Sequence, residues 1–292
     1  VSDGDEALFV ITELRFGTID DGLNLDCLDT PSACSESLCR EGPDDGREGV
    51  DNRLGWLANK LSSMAGSDLQ AEMTQAVEEG RHPLLIRLKG ISSYRDGSAE
   101  AVEIDFGLDA DSDPEDLPSG RGKVRTDPDT PSKNPSRFSP VVIEDGLLRA
   151  GPTTDWMPLF WTRGQIAAVP VESAYLSLRF QKAPSGEPPV DGVIVDGMLA
   201  GAMEANALSE AILDMDARTA KVLGSLGFAV RALIRTQRDL DLIPPGPTNR
   251  ACEEDDQCMA GQRCRESRCV EPEEFDTISF GIRFKAVSAV MT

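Results

Sequence analysis

The chain has 292 residues, with 51 Asp and Glu against 29 Lys and Arg, for a formal net charge of -22. So anionic a surface disfavours nucleic acid and anionic lipid, both of which need clustered Lys and Arg, and no run of about 18 apolar residues offers a transmembrane helix. The 40% hydrophobic share over this length suffices for one large core. Val1 opens without a basic stretch and apolar run, so a secretory signal is expected to have been removed, with a lipid anchor upstream of Val1 as one route to a surface.

In chain order, 6–19 alternates as a strand through Leu8, Val10, Leu14 and Phe16, with a slip near Thr12 that suits a bulge. Residues 20–50 form an Asp- and Cys-rich loop without periodicity. Leu54, Leu57, Leu61 and Met64 then recur at helical spacing, which predicts a helix over 51–65 with Asp51 able to cap it. Gly66-Ser67-Asp68 punctuates before a second helix over 68–79, making 51–80 a helical hairpin. Strands follow at Leu84–Ile91 and around Val102–Phe106, parted by the turn signal Asp96-Gly97. The acidic, proline-rich stretch 108–140 reads as a surface excursion.

Short apolar runs at 141–144, 147–149, 156–161, 166–171 and 174–180, then 190–203, indicate many short strands. Helical spacing returns over 203–235, where Gly224 and Gly227 leave one bent helix or two shorter ones open. Ile278, Phe280, Ile282 and Phe284 give the cleanest alternation and predict a terminal strand closing against the first. The expected fold is one α+β domain over 1–292: an antiparallel β-sandwich or jelly-roll-like core, a helical hairpin and a second long helical segment.

Chemistry is sparse. The seven cysteines, Cys27, Cys34, Cys39, Cys252, Cys258, Cys264 and Cys269, all lie in polar segments. Clusters of this kind suit disulfides in an oxidising compartment, with 251–270 a disulfide-rich insert; zinc wants closer paired thiolates. The one histidine, His82, follows a predicted helix and reads as a capping or surface residue. Trp56, Trp156 and Trp161 offer sugar stacking yet read as core. Paired carboxylates of a glycosidase cannot be picked from 51 acidic residues by sequence.

Calcium has the better case, because it takes six to eight oxygens that Asp and Asn in a glycine-bent loop supply. Asp20, Asn24, Asp26, Asp45 and Asp51 are the preferred ligands. The Gly22-Leu23-Asn24-Leu25-Asp26 stretch, Asp45-Gly46 leading to Gly49-Val50-Asp51-Asn52, and the Cys252–Cys269 spacing together resemble secreted or lipoprotein-type surface proteins of myxobacteria. The Asp-rich loop is also similar to calcium-binding repeats of extracellular matrix proteins. These resemblances imply a secreted, periplasmic or cell-surface setting. The resulting expectation is a non-enzymatic binding or surface-scaffold protein, calcium-stabilised, whose partner is a surface protein or a polysaccharide. The alternatives are a secreted carboxylate-dependent polysaccharide hydrolase and a subunit of a cell-envelope assembly.

Overall fold

A computed structural model describes residues 5–18, 22, 52–65, 68–80, 83–110, 113, 116–117, 122–126, 136–139, 141–162, 165–182, 193–214, 227–236, 247–251, 263–265, 268–270 and 277–291. Strand β1 (Asp5–Phe16) carries the expected bulge, with its register shifting between Ile11 and Glu13. Helices α1 (Arg53–Ala65) and α2 (Leu69–Glu78) form the predicted hairpin. Strands β2 (Leu84–Ile91), β3 (Gly97–Ala99) and β4 (Ala101–Asp109) follow. The acidic stretch then contributes β5 (Lys123–Thr126) and β6 (Ser136–Phe138).

Strand β7 (Val141–Glu144) turns through Asp145-Gly146, with φ of 49° and 72°, into β8 (Leu147–Thr162). Both residues of this two-residue loop need positive φ, which Asp-Gly tolerates. The short runs expected across 147–180 are instead two long strands, β8 and β9 (Gln165–Lys182), paired as a hairpin whose register shifts fall at Pro152 and beside Pro158. Strand β10 (Val193–Glu204) leads into α3 (Ala205–Asp214), and α4 (Gly227–Thr236) packs on α3, so the described residues of 203–235 lie in two helices after the end of β10. Strands β11 (Pro247–Ala251), β12 (Arg263–Arg265) and β13 (Arg268–Val270) form a small separate sheet before β14 (Thr277–Ser288) and β15 (Val290–Met291).

The main sheet has twelve strands in the order β15-β5-β4-β2-β1-β14-β10-β9-β8-β7-β3, with β6 on β4. Its ladders are antiparallel apart from β15 on β5. Both chain ends meet at its centre, where β14 pairs β1 on one side and β10 on the other, as the terminal alternation predicts. The order does not close, which corrects the sandwich or jelly roll to a single open sheet.

The physical reason is that helices take the place of a second sheet. Leu54, Leu57, Leu61 and Met73 from the hairpin, and Leu208 and Val230 from α3 and α4, are buried in the same cluster as Phe9, Ile86 and Phe280 of the strands. The sheet also curls over this core. Phe9 on β1 meets Phe180 on β9 at 6.1 Å between ring centroids, although three strand spacings separate these strands, roughly 14 Å if the sheet were flat. Gly197 and Gly201 on β10 stand opposite Phe284 and Phe280, and a Cβ at Gly197 would collide with the Phe284 ring.

Two side-chain amides extend the ladders where strands run out. Pairing of β2 with β1 stops at Val10, and beyond it Gln70 of α2 accepts from Phe16 N at 2.8 Å and donates to Leu14 O at 2.9 Å. Asn52 does the same for β14 past the end of β1. Its Oδ1 accepts from Gly281 N at 2.9 Å, and its Nδ2 donates to Gly281 O at 3.1 Å and to Thr18 O at 2.9 Å. Oδ1 also accepts from Gly55 N, so Asn52 is the N-cap of α1 that the sequence reading assigns to Asp51. Asp68 caps α2 by accepting from Ala71 N.

The stretch 108–140 is more than a surface excursion. Leu117 and Val124 cover Leu8, Val10, Leu85 and Val287 on the outer side of the sheet, and Phe138 is fully buried on the inner side. Asp116 and Pro118 flank Leu117, Lys123 and Arg125 flank Val124, and Arg137 and Ser139 flank Phe138, so composition averaged over the stretch hides them. The cysteine expectation is overturned. Among the described residues there is no disulfide bond and no close pairing of cysteine sulfurs. Cys264 and Cys269 sit directly opposite each other on β12 and β13. The other five cysteines lie outside the described residues. No helix among the described residues is long and apolar enough to cross a membrane.

Candidate functional site: the charged outer face of the central strands

Because strand side chains alternate, the residues between the core positions of β1, β14, β10 and β9 all project to the outer face. The observed registers align them into two rows. One row runs Glu13, Lys285, Asp196, Arg179, Leu147, and the next runs Arg15, Arg283, Met198, Ser177, Arg149. The bulge between Ile11 and Glu13 sets this alignment, since it returns Leu14 to the core and brings Glu13 and Arg15 to the outside. All of the residues in these rows but Arg149 line a groove of about 660 Å³.

Five cations therefore face two carboxylates on one surface of a strongly acidic chain. Lys285 Nζ lies 2.9 Å from Glu13 Oε2, and Arg15 pairs with the other Glu13 oxygen. The hydrogen bond from Lys285, helped by the charges of Lys285 and Arg15 and opposed by partial burial, holds the Glu13 carboxyl below the ordinary glutamate range. Asp196 Oδ2 accepts from Gln181 Nε2 at 2.7 Å. Arg15, Arg149, Arg179, Arg283 and Lys285 are exposed. Tyr175, one outward position past Ser177 on β9, is half-buried, and burial pushes its phenol up, so it remains a neutral hydroxyl.

With five cations against two carboxylates, this face has the chemistry to attract an anion, and Glu13 and Asp196 do not have the features of a catalytic acid pair. A glycosidase acid needs a carboxyl that keeps its proton near neutral pH, whereas Glu13 is shifted the opposite way and Lys285 stands between it and Asp196. A second hollow of about 500 Å³ lies beside the β7–β8 turn, lined by Tyr94, Arg95, Asp145, Phe180 and Lys182. Elsewhere on the outer side, Glu103 is buried and holds Lys89 at 2.9 Å and Arg137 at 3.1 Å. These partners satisfy its charge, which makes it a structural ion pair.

The five proposed calcium ligands, Asp20, Asn24, Asp26, Asp45 and Asp51, lie outside the described residues, as does His82. Among the described residues no group of three or more His, Cys, Asp or Glu could hold a metal ion. Trp56 packs against the core, as expected, with Lys60 over its ring at 5.4 Å. The sequence reading misses the cation rows. Arg283 and Lys285 are visible as the polar positions between Ile282, Phe284 and Ala286, but nothing in the sequence aligns them with Arg15 and Arg179. No protein-family model, curated protein or solved structure matches the chain. The likeness to myxobacterial surface proteins therefore rests on the quoted residues alone.

Proposed function

We propose that the protein is a non-enzymatic binding or surface-scaffold module that works outside the cytoplasm and engages its partner through the outer face of β1, β14, β10, β9 and β8. The observation that carries this reading is the pair of cation-bearing rows on an otherwise anionic chain. Net repulsion makes indiscriminate binding of anions costly, so only a ligand that reaches this face gains attraction. The location outside the cytoplasm rests on the likeness of the quoted residues to secreted or lipoprotein-type surface proteins and on the placing of all seven cysteines in polar segments of the sequence. Calcium held by 20–51 belongs to the same reading, as a brace against carboxylate repulsion.

The test is retention on a carboxylate cation-exchange matrix at pH 7 and low ionic strength. A chain of net charge -22 is retained only through a localised basic face. Retention of the wild type and flow-through of the Arg179→Glu/Arg283→Glu double variant are expected. Flow-through of the wild type sinks the proposal.

A further inference from the structure

The distribution of charge along the rows narrows the ligand, an inference that rests on the binding face just proposed. The cations form two groups. Arg15, Arg283 and Lys285 stand on β1 and β14, and Arg179 and Arg149 stand on β9 and β8. Between the groups lies β10, whose outward side chains are Asp196 and Met198. From β14 to β9 is two strand spacings, roughly 10 Å, and the whole face spans about 19 Å.

We infer that this face takes an acidic polysaccharide in which carboxylated sugars alternate with neutral ones, lying across the strands. Each cationic group meets one carboxylate, with Arg able to bind it through two parallel hydrogen bonds. The strip between them suits a neutral sugar. Asp196 accepts from hydroxyls, Ser177 both donates and accepts, and Met198 offers apolar surface to the ring.

Evenly charged polymers fit poorly. A nucleic-acid strand places a phosphate about every 3.4 Å, and an extended acidic peptide advances at most about 3.6 Å per residue. Either sets an anion against Asp196, whose charge repels it. A peptide adding to the sheet would need a strand edge, and these rows occupy the middle of the sheet.

The experiment is calorimetric titration of the intact chain at pH 7 with a hyaluronan octasaccharide as the alternating probe, beside heparin, poly-glutamate and dextran. Hyaluronan is expected to bind more tightly than each of the others. Arg179→Glu and Arg283→Glu, both exposed and outside the core, are each expected to weaken it at least tenfold, while Lys60→Glu on α1 leaves it unchanged. Asp196→Lys is expected to reverse the preference toward heparin. Tighter binding of heparin or poly-glutamate by the wild type, with the same dependence on Arg179 and Arg283, overturns the ligand class and leaves the binding face standing. Binding that ignores both arginines, or an absence of binding by every probe, overturns both. Circular dichroism of each variant separates loss of binding from loss of fold.

Discussion

Replacing Asn52 with Ala removes one small side chain that serves four backbone groups. Asn52 is 1% exposed, and its carboxamide bonds Gly281 through both N–H and C=O, Thr18 through C=O and Gly55 through N–H. A buried polar group left without a partner costs about 1–3 kcal/mol, and loss of an N-cap alone costs about 0.5–2 kcal/mol. The terms overlap at Gly55, and water entering the gap relieves part of the rest. Gly281 O keeps the N–H of Gly17 as a donor and Thr18 is exposed, so the loss falls on Gly281 N and Gly55 N, and the expected destabilisation of Asn52→Ala is about 2–4 kcal/mol. Asn52→Asp keeps an acceptor for Gly55 N and Gly281 N but sets a carboxylate oxygen against two carbonyls, so it too destabilises. The assay is urea unfolding followed by circular dichroism and tryptophan fluorescence, with stability compared at unchanged m-value. A loss below about 1 kcal/mol for Asn52→Ala would refute the claim that this amide stands in for a missing strand.

Three further outcomes are expected from the same geometry. Glu13 has a lowered folded pKa through Lys285 and Arg15, so its contribution is full above the ordinary glutamate value and fades as pH falls through the lower folded value. Stability measured from pH 6 down to pH 3 is expected to decline less in Glu13→Gln than in the wild type, by no more than about 1 kcal/mol for so exposed a pair; parallel curves would count against the linkage. Gly197→Ala drives a methyl group into the Phe284 ring and is expected to cost about 1–3 kcal/mol in thermal or urea unfolding, with Phe284→Leu recovering part of that loss in the double variant. Removing calcium with EDTA is expected to lower the melting temperature, and an identical melt with and without chelator removes calcium from the account.

Periodicity is the part of the fold that the sequence makes legible. The bulged first strand, both hairpin helices, β2, β4 and the terminal strand come from residues such as Leu54, Leu57 and Leu61 at helical spacing and Ile278, Phe280 and Ile282 at strand spacing. The cover of the sheet is not legible, because an alternating strand buries one face equally well against a second sheet or against helices. Leu117, Val124 and Phe138 are hidden among charged, polar and proline residues, although each fills a buried position. Asp145-Gly146 carries the same turn signal as Asp96-Gly97, but the short apolar runs on either side of it give no sign of the long β8. The candidate site is the least legible part. It depends on how β1, β14, β10 and β9 slide past one another, and a one-residue change of register would break both rows.

Lysine footprinting tests the central claim most directly. Acetylation of the intact protein, read by mass spectrometry with and without hyaluronan oligosaccharide, compares Lys285 at the heart of the outer face with Lys60, exposed on α1. Protection of Lys285 with Lys60 labelled as before is the predicted result. Equal labelling of Lys285 in both samples, or protection that falls on Lys60 instead, would contradict it.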